Sequence, residues 1–186
     1  GAGTLEQTFT VSNTTSSFTY NYAVVVQDAS HTNQEQPYFK IEVFDAANNP
    51  INCGQYLVVG GPSIPNFFPA PCAFGTYYRP WTTVNIDLSA YISQCVTIRF
   101  TVGDCSQGGH FGYAYVDASC APMQIIGNDT ICTGSSTQIC APPGAGSYLW
   151  NPTAATTQCI TVSPTVTTAY SVVVSSISNP NCFTTL

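Results

Sequence analysis

Apolar residues alternate with polar ones at a period of two along most of this chain, the signature of strands with one buried face. Between positions 18 and 26 the pattern runs Phe18, Tyr20, Tyr22 and then enters Val24-Val25-Val26; between 38 and 44 it runs Phe39, Ile41, Val43. Val84, Ile86 and Leu88 alternate likewise, as do Val96, Ile98, Phe100 and Val102. A further strand sets Phe111, Tyr113 and Tyr115 against Gly112, Ala114 and Val116, so its two faces meet different surroundings. No stretch keeps apolar residues at helical spacing for more than about two turns, and residues 87–91 are expected to form one turn of helix. Turn chemistry falls between the strands, at Asn48-Asn49-Pro50, at Gly60-Gly61-Pro62 and in the proline-rich stretch 62–71. About seven or eight strands over roughly 120 residues is the count of a jelly-roll-like β-sandwich.

A second unit begins near Met123, which divides the chain into 1–122 and 123–186. Its short strands are expected at 136–140, 147–150, 158–162 and 169–174, separated by Pro-Pro-Gly and Asn-Pro turns. About 60 residues is small for a self-sufficient core, so disulfides are expected to help. The unit has four cysteines, which allow three connectivities. The first unit has five, and its expected pairs are Cys53 with Cys72 and Cys105 with Cys120, leaving Cys95 as a buried free thiol or an intermolecular partner.

Composition narrows the function classes. Nine cysteines in 186 residues, with no C-x-x-C pair, point to an oxidising compartment and an extracellular location. Only Lys40, Arg79 and Arg99 are basic against nine acidic residues. That removes the positive footprint that a phosphate backbone requires, so nucleic acid is excluded as a partner. No apolar run is long enough to span a bilayer. The last residues, 182–186, read as the start of a strand, and the chain is expected to be a piece of something longer.

Candidate chemistry gathers in residues 103–120, G-D-C-S-Q-G-G-H-F-G-Y-A-Y-V-D-A-S-C. Cys105, His110 and Asp117 have the residue types of a thiol protease, but a disulfide from Cys105 to Cys120 removes the thiolate, and no active site is expected. Zinc needs three or four thiolate or imidazole ligands, and with oxidised cysteines only His31 and His110 remain. Calcium, held by carboxylate oxygens, is the cofactor to test, with Asp28, Glu35, Asp104 and Asp117 as ligands; the plainer reading is that Asp117 caps a turn and Asp104 forms an Asx-turn. His31 and His110 either face one another across one end of the sandwich or are two hydrogen-bonded structural histidines. Tyr77, Tyr78, Trp81, Phe67 and Phe68 surround the proline-rich loop, where flat rings suit sugars or pack a core.

Several of these stretches resemble large secreted surface proteins of gliding and other Bacteroidetes bacteria, in which a β-sandwich module precedes repeats similar to polycystic-kidney-disease and immunoglobulin-like domains. The resemblance rests on 103–120, on His31 with Glu35-Gln36-Pro37-Tyr38-Phe39, and on Tyr78-Arg79-Pro80-Trp81-Thr82. In the second unit it rests on I-C-x-G-S-S-T, Y-L-W, T-T-x-x-I-T-V-S-P and T-T-A-Y-S-V-V-V. It implies that Trp150 is the core tryptophan of an immunoglobulin-like repeat and that Cys132 pairs with Cys182. Cys140 and Cys159 depart from the usual pattern and are most simply a second cross-strand bridge. Asp129-Thr130-Ile131 looks like the O-glycosylation motif of these bacteria, with Thr130 as acceptor, and the resemblance further implies type IX secretion.

The expected function is therefore a non-catalytic segment of a bacterial surface adhesin or extracellular filament. Its expected partners are neighbouring domains of the same polypeptide, surface glycans or other copies. The alternative is a carbohydrate-binding module of a secreted hydrolase, with Trp81, Tyr78, His31 and His110 as the ligand-binding residues.

Overall fold

The computed structural model describes residues 1–61 and 64–186. Strands β1 (Ala2–Thr10), β2 (Ser17–Gln27), β3 (Tyr38–Phe44), β4 (Tyr56–Val59), β5 (Phe68–Pro69), β6 (Thr76–Asp87), β7 (Cys95–Gly103) and β8 (Gly112–Ala121) build two four-stranded antiparallel sheets. Their orders are β1-β7-β3-β4 and β5-β6-β2-β8. The alternation read from the sequence is the cause of this arrangement. Phe18, Tyr20, Tyr22, Val24 and Val26 of β2, with Val84 and Ile86 of β6, face Phe39, Ile41 and Val43 of β3 and Val96, Ile98 and Phe100 of β7 in one buried cluster. Between β6 and β7, Ser89–Tyr91 makes a single 3-10 turn where a helical turn was expected. Gly60 and Gly61 follow β4; the rest of the expected turn there, and the first two residues of 62–71, lie outside the described residues.

The second unit is an immunoglobulin-like sandwich of two three-stranded sheets. One has the order β12 (Cys159–Val162), β10 (Thr137–Cys140), β9 (Ile126–Gly127), and the other β11 (Ser147–Asn151), β13 (Ser171–Ser175), β14 (Phe183–Thr185). Its own cluster closes around the buried Trp150, whose indole N–H donates to the Thr157 carbonyl at 2.9 Å. Cys140 and Cys159 face each other in register across β10 and β12 and are bonded.

The other expected pairings are corrected. Cys182 bonds Cys53, across the two units and 129 residues of sequence, rather than Cys132. Cys53 lies in a 3-10 turn, Asn52–Gly54, just beyond the Phe44 end of β3, and the second unit docks against that end of the sandwich. Cys72 lies near the Thr76 start of β6, at the opposite end, and is out of reach of Cys53. The same separation defeats Cys105 with Cys120: Cys120 lies eight residue steps along extended β8 from Gly112, about 27 Å at 3.4 Å per residue. Cys72, Cys95, Cys120 and Cys132 are exposed free thiols and Cys105 is a buried one, so Cys95 is free but on the surface.

Polar bonds reinforce the bridge where the units meet. The Asn85 N–H donates to the Gly144 carbonyl at 2.9 Å, Met123 N–H to Ser16 Oγ at 3.0 Å, and the Thr184 hydroxyl to Asp87 Oδ2. Gly144 has φ +85°, and a Cβ there would stand 2.8 Å from the Val84 carbonyl carbon, so glycine alone permits this approach.

Two outcomes follow. Peptide mapping without reduction should recover Cys53–Cys182 and Cys140–Cys159, and Cys53→Ser should lower stability by up to about 5 kcal/mol on the chain-entropy relation for a loop of this length. The Tyr20 and Tyr22 phenols are pushed well above the ordinary range by burial, with the Tyr56 hydroxyl adding to the effect at Tyr22. A raised folded-state value means that stability is complete below the unfolded phenol pKa of about 10 and is lost as pH rises above it. Phenolate absorbance from these two of the eleven tyrosines should therefore appear only together with loss of the β-sheet circular dichroism signal.

Candidate functional site

Two features stand out on the first unit, one on its outer face and one at the end away from the second unit. The outer face belongs to the sheet β5-β6-β2-β8. Its edge strand β8 turns its small residues, Ala114 and Val116, toward the core and its large ones outward, so that Phe111, Tyr113 and Tyr115 are exposed. Across the sheet, Phe68, Tyr78, Val25 and Tyr113 are in register in one row. A second row runs Trp81, Ala23, Tyr115. Here β6 places Pro80 and Trp81 opposite Ala23 alone, a bulge that aims the indole outward and leaves it 60% exposed. The rings touch in sequence: Phe111 stacks on Tyr113 at 5.9 Å, Tyr113 meets Tyr115 edge-on at 6.0 Å, and Tyr115 lies 6.5 Å from Trp81. In these rows β2 contributes only the small side chains Ala23 and Val25. Trp81 and Tyr78 of the expected ligand-binding set are thus joined by Phe68, Phe111, Tyr113 and Tyr115.

At the far end, the loop 28–37 joins β2 to β3 and the loop 104–111 joins β7 to β8. Each carries the chain from one sheet to the other. His31 from the first loop and Cys105 and His110 from the second converge there. Cys105 Sγ lies 3.2 Å from His31 Nδ1, the two imidazoles meet edge-on at 5.4 Å, and one donor atom from each residue lies within 4.8 Å of the others. His31 and His110 do face one another, and the expected bridge partner of Cys105 is replaced by an imidazole. Gly108 and Gly109, at φ +80° and +87°, make the reversal that brings His110 back to Cys105, closed by the Cys105 N–H donating to the His110 carbonyl at 3.2 Å. His110 Nδ1 is buried without a hydrogen-bond partner among the described residues.

Neighbouring polar side chains hold both loops. Gln36, buried, accepts from the Ala29 N–H at 2.8 Å and donates to Asp28 Oδ1 at 2.8 Å, which also accepts from the Ser30 N–H. Glu35 accepts from the Thr32 hydroxyl at 2.8 Å and from the Gln107 amide at 2.6 Å; these bonds, in that order, hold its carboxyl below the usual range. Asp104 accepts from the Gly112 N–H at 3.2 Å, the main reason its own value is low.

The four carboxylates expected to hold calcium are not gathered. Asp28, Glu35 and Asp104 are engaged in these loops, whereas Asp117 sits in the middle of β8 opposite Asn21, about 17 Å along the strand from Gly112. That distance also removes Asp117 from Cys105 and His110 as a thiol-protease partner. Thr130 is exposed in the loop after β9, its hydroxyl donating to Asp129 Oδ1 at 3.1 Å.

Comparison with protein-family models, with curated proteins and with solved structures finds no match. The loop staple itself is open to test. Gln36→Ala strips the buried Ala29 N–H of its acceptor, and a chemical melt should register a loss of about 1–3 kcal/mol, with fast hydrogen exchange at Ala29.

Proposed function

We propose that this chain is a non-catalytic binding segment of an extracellular bacterial surface protein, in which the first sandwich holds neutral polysaccharide on its aromatic outer face. The second unit is its fixed spacer. The observation that carries this reading is the two-row face of Trp81, Tyr115, Tyr113, Phe111, Tyr78 and Phe68, since contiguous exposed apolar surface of this kind commonly marks an interaction site. Flat rings meet the apolar faces of pyranoses, and tyrosine hydroxyls can bond sugar hydroxyls.

Charge supports a neutral ligand. All three basic side chains are engaged elsewhere: Arg99 with Glu6 at 2.5 Å, Lys40 with Glu42 at 2.6 Å, and Arg79 over the Tyr22 ring. An acidic polymer would meet a chain of net charge −6. Two disulfides and a sparsely charged surface fit an oxidising exterior, and no helix among the described residues is long and apolar enough to cross a membrane. A module attached to a secreted hydrolase would use the same face, and the sequence of its neighbours separates that reading from an adhesin.

Retention on insoluble neutral polysaccharides, followed by a glycan array, tests the assignment. Trp81→Ala and Tyr115→Ala should each weaken binding on the order of tenfold, or about 1.4 kcal/mol, while Leu149→Ala on the exposed surface of the second unit should leave it unchanged. Equal retention of all three variants would remove the aromatic face from the function.

A further inference from the structure

We propose that His31, Cys105 and His110 form a zinc site that pins together the two sheet-to-sheet connections at the free end of the sandwich. Five observations converge on it. The three donors are two imidazoles and one sulfur, a set suited to a borderline-soft ion and not to calcium. They already lie within 4.8 Å of one another. Around tetrahedral zinc, with Zn–S about 2.3 Å and Zn–N about 2.0–2.1 Å, neighbouring donors stand roughly 3.4–3.6 Å apart, and the separation of 3.2 Å between His31 Nδ1 and Cys105 Sγ is close to that. His110 Nδ1 is a buried polar atom with no hydrogen-bond partner among the described residues, and metal ligation orders such a ring.

The state of Cys105 is the fourth observation. In a chain that forms two disulfides, this thiol is kept 4% exposed beside a histidine, while the other four free cysteines are on the surface. The fifth is preorganisation. The loops carrying the donors are tied to each other without any ion, by the Ser106 N–H to the Glu35 carbonyl at 3.1 Å and by Gln107 to the Glu35 carboxylate. Binding then costs little further ordering.

The chemistry balances without a redox step. Cys105 gives up its thiol proton to solvent, the thiolate and two neutral imidazoles donate to Zn²⁺, and water completes four-coordination. The site gains one net positive charge amid Asp28, Glu35 and Asp104. Because Phe111 directly follows His110, the ion would also fix the start of the aromatic row.

The decisive experiment uses the full chain with Cys72, Cys95, Cys120 and Cys132 all changed to serine, so that exposed thiols cannot bind metal. One zinc per chain is expected by equilibrium dialysis and elemental analysis. The melting temperature should rise by roughly 5–10 °C when free zinc is a hundredfold above its dissociation constant, and excess calcium should not displace the ion. Cobalt substitution should give a thiolate-to-metal charge-transfer absorption, lost in Cys105→Ser. His31→Gln and His110→Gln, checked for folding by circular dichroism, should each weaken zinc binding on the order of a hundredfold. Absence of the cobalt band from the four-serine chain would overturn the site whatever the variants do. Undiminished zinc binding in the double glutamine variant, or displacement by calcium, would do the same.

Discussion

Strand β2 is asked to do opposite things on its two faces, and much of the first unit follows from that division. Its inward positions, Phe18, Tyr20, Tyr22, Val24 and Val26, fill the space between the sheets, and its outward positions within the aromatic face are only Ala23 and Val25. Bulk inside sets the sheet separation and excludes water from the phenols of Tyr20 and Tyr22. Lack of bulk outside, on a strand with neighbours on both sides, leaves the large rings of this face to β6 and β8. The ends of β2 matter equally: past Gln27 it feeds the loop that carries His31, and at Ser17 its hydroxyl accepts from Asn85 Nδ2 at 2.6 Å, beside the contact with Gly144.

Much of this was legible in the sequence. The inward alternation of β2, β3, β6 and β7 is the pattern of a half-buried sheet, and each of those readings places the observed core residues. Strand β1 was not legible, because as an edge strand running past the core it exposes Leu5 and buries little besides part of Phe9. The outward turn of the β8 aromatics was legible only as a difference between faces. Period two says that residues share a side but not which side is solvent. The role of Trp81 depends on a bulge, which one strand cannot declare without its partner.

Cysteine pairing failed for a different reason. Cys140 and Cys159 sit opposite each other on neighbouring strands of one small sheet, where the resemblance implied a cross-strand bridge. Cys53 and Cys182 meet only because two separately folded units dock, and Cys105 and Cys120 are kept apart by the length of the strand between them. Neither fact is local in the sequence. The His31–Cys105–His110 group was hidden by the same error, since assigning Cys105 to a bridge removed the sulfur that makes the two histidines chemically interesting.

The bond between Cys53 and Cys182 also has a mechanical meaning. Tension applied between the segments before Cys53 and after Cys182 passes directly from one sulfur to the other, and the sequence separation of 129 residues is bypassed. Extended, that stretch would amount to about 450 Å of contour at roughly 3.5 Å per residue. None of it can be drawn out while the disulfide is intact. Trp81, Tyr115 and the histidine cluster's Cys105 and His110 all lie inside the protected loop, whereas β1, β2, β3 and His31 lie outside it. Under load β1, β2, β3 and the terminal β14 are in line with the force, and most of the aromatic face lies inside the protected loop.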